Sequence, residues 1–158
     1  MKFMTLDKGN IAEDFELLGN DGSSFILSSY KNSKNVVLCF YPKNHLFACP
    51  SKKVFEMAKS VISVYSEIVA TNTVLFAISV DSVDSQSEFV KEYQVPYIHL
   101  SDPKKIACKK YAGTNIVGLA KRSTFIIDKN GIIQDVMREI NVTSHGQEIL
   151  DSLKKIKV

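Results

Sequence analysis

The stretch NVVLCFYPKNHLFACPSKKVFEMAK, residues 35–59, decides the fold. Residues 36–41 form a continuous apolar run rich in β-branched side chains, which predicts a strand buried on both faces of a sheet. From Val54 to Val69, apolar residues recur at three- and four-residue steps, which predicts a long amphipathic helix. Pro50 is well suited to the first position of that helix. Cys49 therefore lies where the strand's exit loop meets the helix.

From its residue type alone, Cys49 is a small buried hydrophobe, a metal ligand, half of a disulfide or a nucleophile. At a helix N-terminus, unpaired backbone N–H groups and the positive end of the dipole stabilise a thiolate and lower the thiol pKa below about 8.5. Lys52 and Lys53 in the first turn act in the same direction. Simple packing is the alternative, and these residues leave both roles open. Cys39 lies inside the apolar strand, where inert packing is expected.

Composition and the absence of several motifs exclude other classes of protein. The chain has 158 residues, a net charge of +3 and 45% hydrophobic residues, which predicts one soluble domain over residues 1–158. Neither a signal peptide nor a membrane-spanning run is evident, so a cytoplasmic location without membrane contact is expected. Basic stripes with interleaved aromatic residues are missing, which argues against nucleic-acid binding. The three cysteines form no CxxC pair, and no second pair joins His45 and Cys49 to complete a metal site.

The remaining pattern predicts strands that alternate with helices. The turn GNDG predicts a hairpin near residues 15–27, and KNG predicts a second one between STFIID and IIQDVM. TVLFAISV and YIHL are predicted strands. The predicted later helices are one capped by Asp84 or Ser85 and running to about Tyr93, one opened by SDP and running through Cys108 and Tyr111, and one over residues 146–156. This order predicts an α/β protein with a central sheet covered on both faces.

Three segments of the chain resemble the peroxiredoxins, most closely the bacterioferritin comigratory protein or peroxiredoxin Q branch. They are NIAEDFELLGNDGSSFILSSYKNSKNVVLCFYPKN, LFAISVDSVDSQSEFVKEYQVPYIHLSD and KRSTFIIDKNGII, in the family's order and spacing. The resemblance implies a thioredoxin-like fold, with a central mixed sheet between helices and an N-terminal β-hairpin extension. It also implies a thiol-dependent peroxidase that reduces hydrogen peroxide and organic hydroperoxides through a cysteine sulfenic acid.

The family's motif places three residues of this chain in the active site. Pro42 and Cys49 match the motif's proline and peroxidatic cysteine, and Arg122 in KRSTFIID matches the family's arginine. The resemblance implies that Arg122 holds the Cys49 thiolate and that Pro42 shields the sulfur from water. Arg122 as an ordinary surface ion-pair partner is the alternative.

This sequence departs from the family's motif around the cysteine. Leu46 stands at the Thr or Ser position, and Phe47 and Ala48 replace the usual Pro-Gly. Lys52 stands where an acidic residue is common, and Val54 stands where many members of this branch carry a resolving cysteine. The missing hydroxyl predicts a slower reaction, by roughly 10²–10³-fold if it acts like one oxyanion donor. The missing cysteine predicts a one-cysteine cycle.

Other residues near the motif have two interpretations each. His45 is a solvated loop residue or a donor that replaces the missing hydroxyl. Lys52 is a functional cation or simply solvated at a helix start. Cys108 is expected to face the core or a crevice, with a resolving role as the alternative.

The resemblance implies a hydroperoxide substrate and an external thiol reductant, namely thioredoxin, glutaredoxin or a low-molecular-weight thiol. No bound metal or organic cofactor is implied, and a monomer or weak homodimer is expected. The alternative function is a degenerate member of the family with little turnover, acting as a redox sensor or binding module. A thiol–disulfide reductase is disfavoured because the chain lacks a CxxC motif.

Overall fold

A computed structural model of the chain describes residues 5–46, 49–50 and 52–156, with the backbone alone at residues 45, 46, 49 and 50. The strands are β1 (Glu16–Gly19), β2 (Ser24–Ile26), β3 (Asn35–Phe40), β4 (His45–Leu46), β5 (Cys49–Pro50), β6 (Thr73–Ser79), β7 (Ile98–Ser101), β8 (Ser123–Ile127) and β9 (Ile133–Met137). The α-helices are α1 (Lys52–Ala70), α2 (Val83–Tyr93), α3 (Ile106–Lys110) and α4 (His145–Lys154).

Seven of the strands form one mixed sheet in the order β2-β1-β7-β6-β3-β8-β9. Strand β3 pairs in parallel with β6 on one side and antiparallel with β8 on the other. The β1–β2 hairpin joins the sheet through an antiparallel contact between β1 and β7. The predicted mixed α/β architecture with an N-terminal hairpin extension is therefore confirmed.

Strand β3 supplies side chains to the cores on both faces of the sheet, because successive residues of a strand point to opposite sides. Val36, Leu38 and Phe40 pack into a core that includes residues of α3. Val37 and Cys39 pack into the other core, with residues of α1, α2 and α4. All six residues of β3 are buried, as the continuous apolar run predicted. Among the described residues, no helix is both long and apolar enough to cross a membrane.

The predicted start of α1 at Pro50 is wrong. The helix begins at Lys52, and Cys49–Pro50 instead pairs antiparallel with His45–Leu46. A proline disfavours the helical conformation for the residue before it, so Cys49 is biased towards extended backbone. The two-residue strand gives that extended conformation a partner, and this pairing outweighs the local preference of Pro50 for a helix start.

Two other helix starts differ from the expected ones. Ser82, rather than Asp84 or Ser85, caps α2, and its side chain accepts a hydrogen bond from the Ser85 N–H. Helix α3 begins at Ile106 instead of continuing directly from the SDP turn. There the Asp102 carboxylate accepts hydrogen bonds from three successive backbone N–H groups, those of residues 106, 107 and 108. It therefore caps the helix from four residues upstream of its first residue.

Helices α1 and α4 pack closely at Gly146. The Gly146 N–H donates to the Ser60 hydroxyl over 2.9 Å. A Cβ at residue 146 would overlap the Ser60 carbonyl oxygen and crowd the Val64 side chain. A backbone carbonyl cannot rotate away as a flexible side chain can, so only glycine allows this approach.

Replacing Gly146 with alanine is expected to lower the free energy of unfolding by about 1–3 kcal/mol, because the new methyl group forces the two helices apart. This loss runs against the intrinsic preference of helices for alanine over glycine, which is worth about 1 kcal/mol. Urea unfolding measures the change. Gln147→Ala, at the exposed next position of the same helix, should stay within about 0.5 kcal/mol. A Gly146→Ala protein as stable as Gln147→Ala would contradict this account of the packing.

Candidate active site

The C-terminal end of β3 brings Tyr41 and Pro42 to the same edge of the sheet as Arg122. Phe40 pairs with Ser123 across the β3–β8 ladder, so the residues just beyond that pair, Tyr41 and Arg122, are neighbours. Both side chains line one small cavity on the α1 face. Pro42 follows directly and is half-buried in the loop that leads to α1. The structure thus brings Pro42 and Arg122, two of the three expected site residues, to one place.

Arg122 is a half-buried cation whose described partner is a sulfur atom. Its Nη1 lies 3.3 Å from the sulfur of Met57, which belongs to the second turn of α1. Burial lowers the pKa of Arg122, but an arginine begins so far above neutrality that the group keeps its charge. Among the described residues Arg122 forms no ion pair with a carboxylate. Its positive charge is therefore available to an anion at this edge.

The backbone of Cys49 is described, and it lies three residues before the start of α1. In the β4–β5 pair, Leu46 is the direct cross-strand partner of Cys49, and His45 is the partner of Pro50. The sequence predicts Cys49 directly before the first helical residue, whereas the structure places it three residues ahead of Lys52. The side chains of His45 and Cys49, and the replacement at Phe47 and Ala48, lie outside the described residues.

Lys52 is the first residue of α1 and its side chain is exposed. Its ammonium nitrogen lies 3.9 Å from the carboxylate of Glu56, one turn further along the helix. An exposed pair at this separation contributes little energy. The structure therefore agrees with the solvated interpretation of Lys52.

Cys39 and Cys108 are locked in the core as neutral thiols. Cys39 has 1% of its surface exposed and Cys108 has none. Burial raises the pKa of Cys39 to about 12, and a hydrogen bond with Thr124 offsets only part of this effect. Burial, followed by the nearby negative charge of Asp102, raises the pKa of Cys108 well above its usual range. The expectations of a packed Cys39 and a core-facing Cys108 are confirmed.

Two fully buried histidines flank this edge of the sheet as neutral imidazoles. Burial lowers the pKa of His99 to about 3. Burial, together with the positive charge of Arg122, lowers the pKa of His145 to about 4. His145 Nε2 lies 2.7 Å from the Thr124 hydroxyl, whereas its Nδ1 has no partner among the described residues. At neutral pH these two histidines therefore add no positive charge to that of Arg122.

Known proteins resemble this chain in sequence and in fold. Residues 8–136 match the model of the AhpC/TSA family. Peroxiredoxin Bcp of Bacillus subtilis is 32% identical over 96% of this chain and 97% of its own length. The chloroplastic peroxiredoxin Q of Sedum lineare is 30% identical over 98% of this chain and 82% of its own length. The crystal structure of peroxidoxin BcpB from Mycobacterium tuberculosis superposes with a TM-score of 0.84 at 25% identity, covering 97% of this chain and 99% of that one.

The chain belongs to the AhpC/TSA family. The predicted thioredoxin-like fold and the predicted class, a thiol-dependent peroxidase of the peroxiredoxin type, are both confirmed. Membership of this family implies a hydroperoxide as substrate and a thiol as reductant.

The sequence did not reveal several residues that this AhpC/TSA site brings together. Met57 lies within the predicted helix, but nothing in the sequence marks it as a neighbour of Arg122. Asn44, Gln86 and His99 meet at the buried end of β3, although they lie far apart in sequence. The sequence carries one signal of this buried cluster. Gln86 is a polar residue three positions before Phe89, on the inward face of α2.

We expect the unfolding free energy to fall by roughly 2 kcal/mol for each of the two buried imidazoles between pH 7.5 and pH 5. Their folded pKa values, about 3 for His99 and about 4 for His145, lie below the unfolded value of about 6.5. The unfolded chain therefore binds protons first, so this stability is present above pH 6.5 and is lost as the pH falls. Urea unfolding at pH 7.5, 6.5 and 5 measures the effect before most carboxyl groups titrate. Equal stability across this range would show that the imidazoles are not buried and neutral.

Proposed function

We propose that Cys49 is the peroxidatic cysteine of this thiol-dependent peroxidase, with Arg122 and Pro42 completing its active site. The substrates are hydrogen peroxide and organic hydroperoxides. Arg122 supplies positive charge to the thiolate and to the oxygen atoms in the transition state. Pro42 limits the access of water to the sulfur.

The observation that carries this proposal is the state of the other two cysteines. The reaction needs an ionised sulfur that a peroxide can reach, because the thiolate is the nucleophile. At pH 7, a thiol with a pKa of about 12 is ionised in only about one molecule in 10⁵. Cys39 meets neither requirement, and Cys108 is fully buried with a raised pKa as well. Cys49 is the remaining cysteine in the chain.

Electrostatics at the edge of the sheet supports a thiolate and a developing negative charge. Arg122 is half-buried, where an interaction with an anion is screened less than at an open surface. It also lacks a carboxylate partner among the described residues, so no neighbouring anion neutralises it. Charge develops along the S–O–O line as the peroxide bond breaks, and a positioned cation lowers that barrier.

The proposed cycle has three balanced steps. The Cys49 thiolate attacks one oxygen of ROOH, an S–O bond forms, the O–O bond breaks, and RO⁻ leaves and takes a proton to give ROH. The cysteine is now a sulfenic acid, oxidised by two electrons. A first external thiol attacks its sulfur and releases water, leaving a mixed disulfide. A second thiol then attacks that disulfide and returns Cys49 to the thiolate form.

The positions of the other cysteines support reduction by an external thiol. Cys108 packs with α3 on the opposite face of the sheet from α1, so the sheet itself separates it from the start of α1. Cys39 is held in β3 between two paired strands. A disulfide requires Cα atoms within about 7 Å, which either cysteine would reach only by disrupting the core. Val54, at the position of the resolving cysteine in many relatives, is buried against the same core as Cys39.

We also propose a cytoplasmic enzyme with one domain over residues 1–158, acting as a monomer or weak homodimer. Its reductant is thioredoxin, glutaredoxin or a low-molecular-weight thiol. Each of these reductants offers a thiol that attacks a sulfenic acid without help from a second cysteine of the chain.

Substitution of the cysteines separates these roles. Cys49→Ser should abolish peroxide consumption in the presence of dithiothreitol, because the proposed nucleophile is lost. Cys108→Ser should retain at least about half of the turnover, since an inert core thiol takes no part in the cycle. Measuring peroxide consumption also tests the rival function, because a redox sensor or binding module would show no sustained turnover. Activity that survives Cys49→Ser but is lost in Cys108→Ser would overturn the assignment.

The Cys49 thiol should have a pKa below the free value of about 8.5 because of the positive charge of Arg122. The rate of alkylation by iodoacetamide as a function of pH measures it, and Cys49→Ser shows the signal to come from Cys49. Arg122→Gln should raise the midpoint. Arg138→Gln is the matched control, because Arg138 is the other arginine of the chain and contacts the carbonyl of Leu6. A midpoint at or above about 8.5 in the unmodified protein would rule out an activated thiolate.

Restoring the family's hydroxyl with Leu46→Thr should raise the rate constant with peroxide by about tenfold or more, without raising the thiol pKa. Residue 46 is the direct backbone partner of Cys49, so the new hydroxyl starts from the position opposite the cysteine. Leu46→Val changes the side chain without adding the hydroxyl and is the control for shape. Stopped-flow mixing with hydrogen peroxide gives both rate constants. An unchanged rate for Leu46→Thr would mean that the loop has another donor, with His45 as the first to test.

A further inference from the structure

A buried polar network holds the first part of the loop that leads from β3 to Cys49. It consists of Tyr41, Asn44, Asp81, Gln86 and His99, and we call it the Asn44 network. All five side chains are buried, with exposed fractions between 0% and 6%. They come from the end of β3, the loop after it, the end of β6, helix α2 and strand β7.

Asn44 forms hydrogen bonds with four different residues. Its backbone N–H donates to Asp81 Oδ2 over 2.9 Å. Its side-chain Nδ2 donates to Gln86 Oε1 over 2.9 Å and to the Ser85 hydroxyl over 3.1 Å. Its Oδ1 accepts from the Tyr41 hydroxyl over 2.6 Å. Both the backbone and the side chain of residue 44 are therefore fixed to α2 and to the end of β6.

The hydroxyl proton of Tyr41 has one consistent position. The Tyr41 oxygen lies 2.6 Å from Asn44 Oδ1, 2.9 Å from Gln86 Oε1 and 2.8 Å from His99 Nδ1. Asn44 Oδ1 is the nearest of these acceptors, and Gln86 Oε1 also accepts from Asn44 Nδ2, so we assign the one phenol proton to Asn44 Oδ1. The phenol oxygen is then free to accept, and His99 Nδ1 is the group that can donate to it.

This assignment also fixes the tautomer of His99. Its Nε2 is buried without a partner among the described residues. With the phenol proton on Asn44 Oδ1, an Nε2–H tautomer would bury an unpaired donor at Nε2 and would set the Nδ1 lone pair against the Tyr41 oxygen with no proton between them. An Nδ1–H tautomer donates to the Tyr41 oxygen and leaves only an acceptor unpaired at Nε2. His99 is therefore the neutral Nδ1–H tautomer. Gln86 Nε2 completes the network by donating to the Ser79 hydroxyl and to the Leu100 carbonyl.

We propose that Asn44 is a positioning residue of the peroxidase reaction, which fixes Pro42 and the start of the loop carrying Cys49 against β6, β7 and α2. The inference rests on the proposed role of Cys49. Residue 44 lies two positions after Pro42 and five before Cys49. Fixing it limits how far the shielding proline and the sulfur move relative to Arg122 at the same edge.

Positioning of this kind affects reaction with a peroxide more than reaction with a simple alkylating agent. The peroxide must align its O–O bond with the sulfur and with Arg122, and an error of about 1 Å in such alignment costs up to about 100-fold in rate. Iodoacetamide needs only an accessible thiolate. The ratio of the two rate constants therefore distinguishes a positioning residue from one that only stabilises the fold.

The test compares Tyr41→Phe and Asn44→Ala with Tyr111→Phe as a matched control. Tyr111 is also a fully buried tyrosine, and its hydroxyl donates to the Glu13 carbonyl in the core on the opposite face of the sheet. All three variants lose a buried hydrogen bond, so each is expected to unfold at a lower urea concentration. Rate constants with hydrogen peroxide and with iodoacetamide are measured on the folded proteins at a pH above the thiol pKa.

We expect the peroxide rate constant to fall by about 10- to 100-fold in Tyr41→Phe and Asn44→Ala and to stay unchanged in Tyr111→Phe. The iodoacetamide rate constant should change by less than about twofold in all three. The proposal is overturned if the two site variants react with peroxide as fast as Tyr111→Phe, or if both rate constants fall together. A failure of the Cys49 assignment is distinct, because Cys49→Ser would then keep the peroxide reaction.

A second measurement needs no substitution. The ¹⁵N chemical shifts of His99 in the unmodified protein report which ring nitrogen carries the proton. A protonated Nδ1 and a bare Nε2 at neutral pH support the network as assigned. A protonated Nε2 would mean that Tyr41 donates to His99 Nδ1 instead of to Asn44 Oδ1, and would overturn the link between Tyr41 and Asn44 on which the proposed positioning depends.

Discussion

The pairing of β3 on both edges and its burial on both faces are the constraints on which the rest of the structure depends. Its alternating side chains pack into the two cores, and its ladders with β6 and β8 fix its register. That register places Tyr41 and Pro42 at the sheet edge, and the pairing of Phe40 with Ser123 brings Arg122 beside them. The proposed site therefore takes its geometry from a strand that is buried on both faces and paired on both edges, whereas the proposed cysteine lies in the short β4–β5 pair.

The cores on the two faces of the sheet keep the thiols of Cys39 and Cys108 neutral. Cys39 is part of the strand itself, and Cys108 lies on the opposite face from α1. Burial makes both thiols poor acids and poor nucleophiles. At the sheet edge, by contrast, Arg122 has no carboxylate partner among the described residues, so its positive charge can stabilise an anion there. Position in the fold thus distinguishes the two inert thiols from the cysteine that we propose as reactive.

Patterns that repeat along the chain predicted the strands and the long helices well. The apolar run at residues 36–41 and the helical spacing from Val54 describe β3 and α1 correctly because burial imposes those periods. The predicted start of α1 is wrong because it relies on the local preference of Pro50 for a helix start. The pairing of β4 with β5 instead holds residues 49 and 50 in an extended conformation. The Asn44 network had no comparable signal, since the contact between Tyr41 and His99 joins residues 58 positions apart and depends on the tertiary fold. The role of Cys49 still depends on the family motif and on the exclusion of the other two thiols.

Identifying the oxidised sulfur tests the central claim most directly. The reduced protein is treated with one equivalent of hydrogen peroxide in the presence of dimedone, which traps sulfenic acids, and is then digested and analysed by mass spectrometry without reduction. The account predicts dimedone on Cys49 and unmodified thiols at Cys39 and Cys108. Dimedone on Cys108, or a dominant disulfide between Cys49 and Cys108, would contradict it.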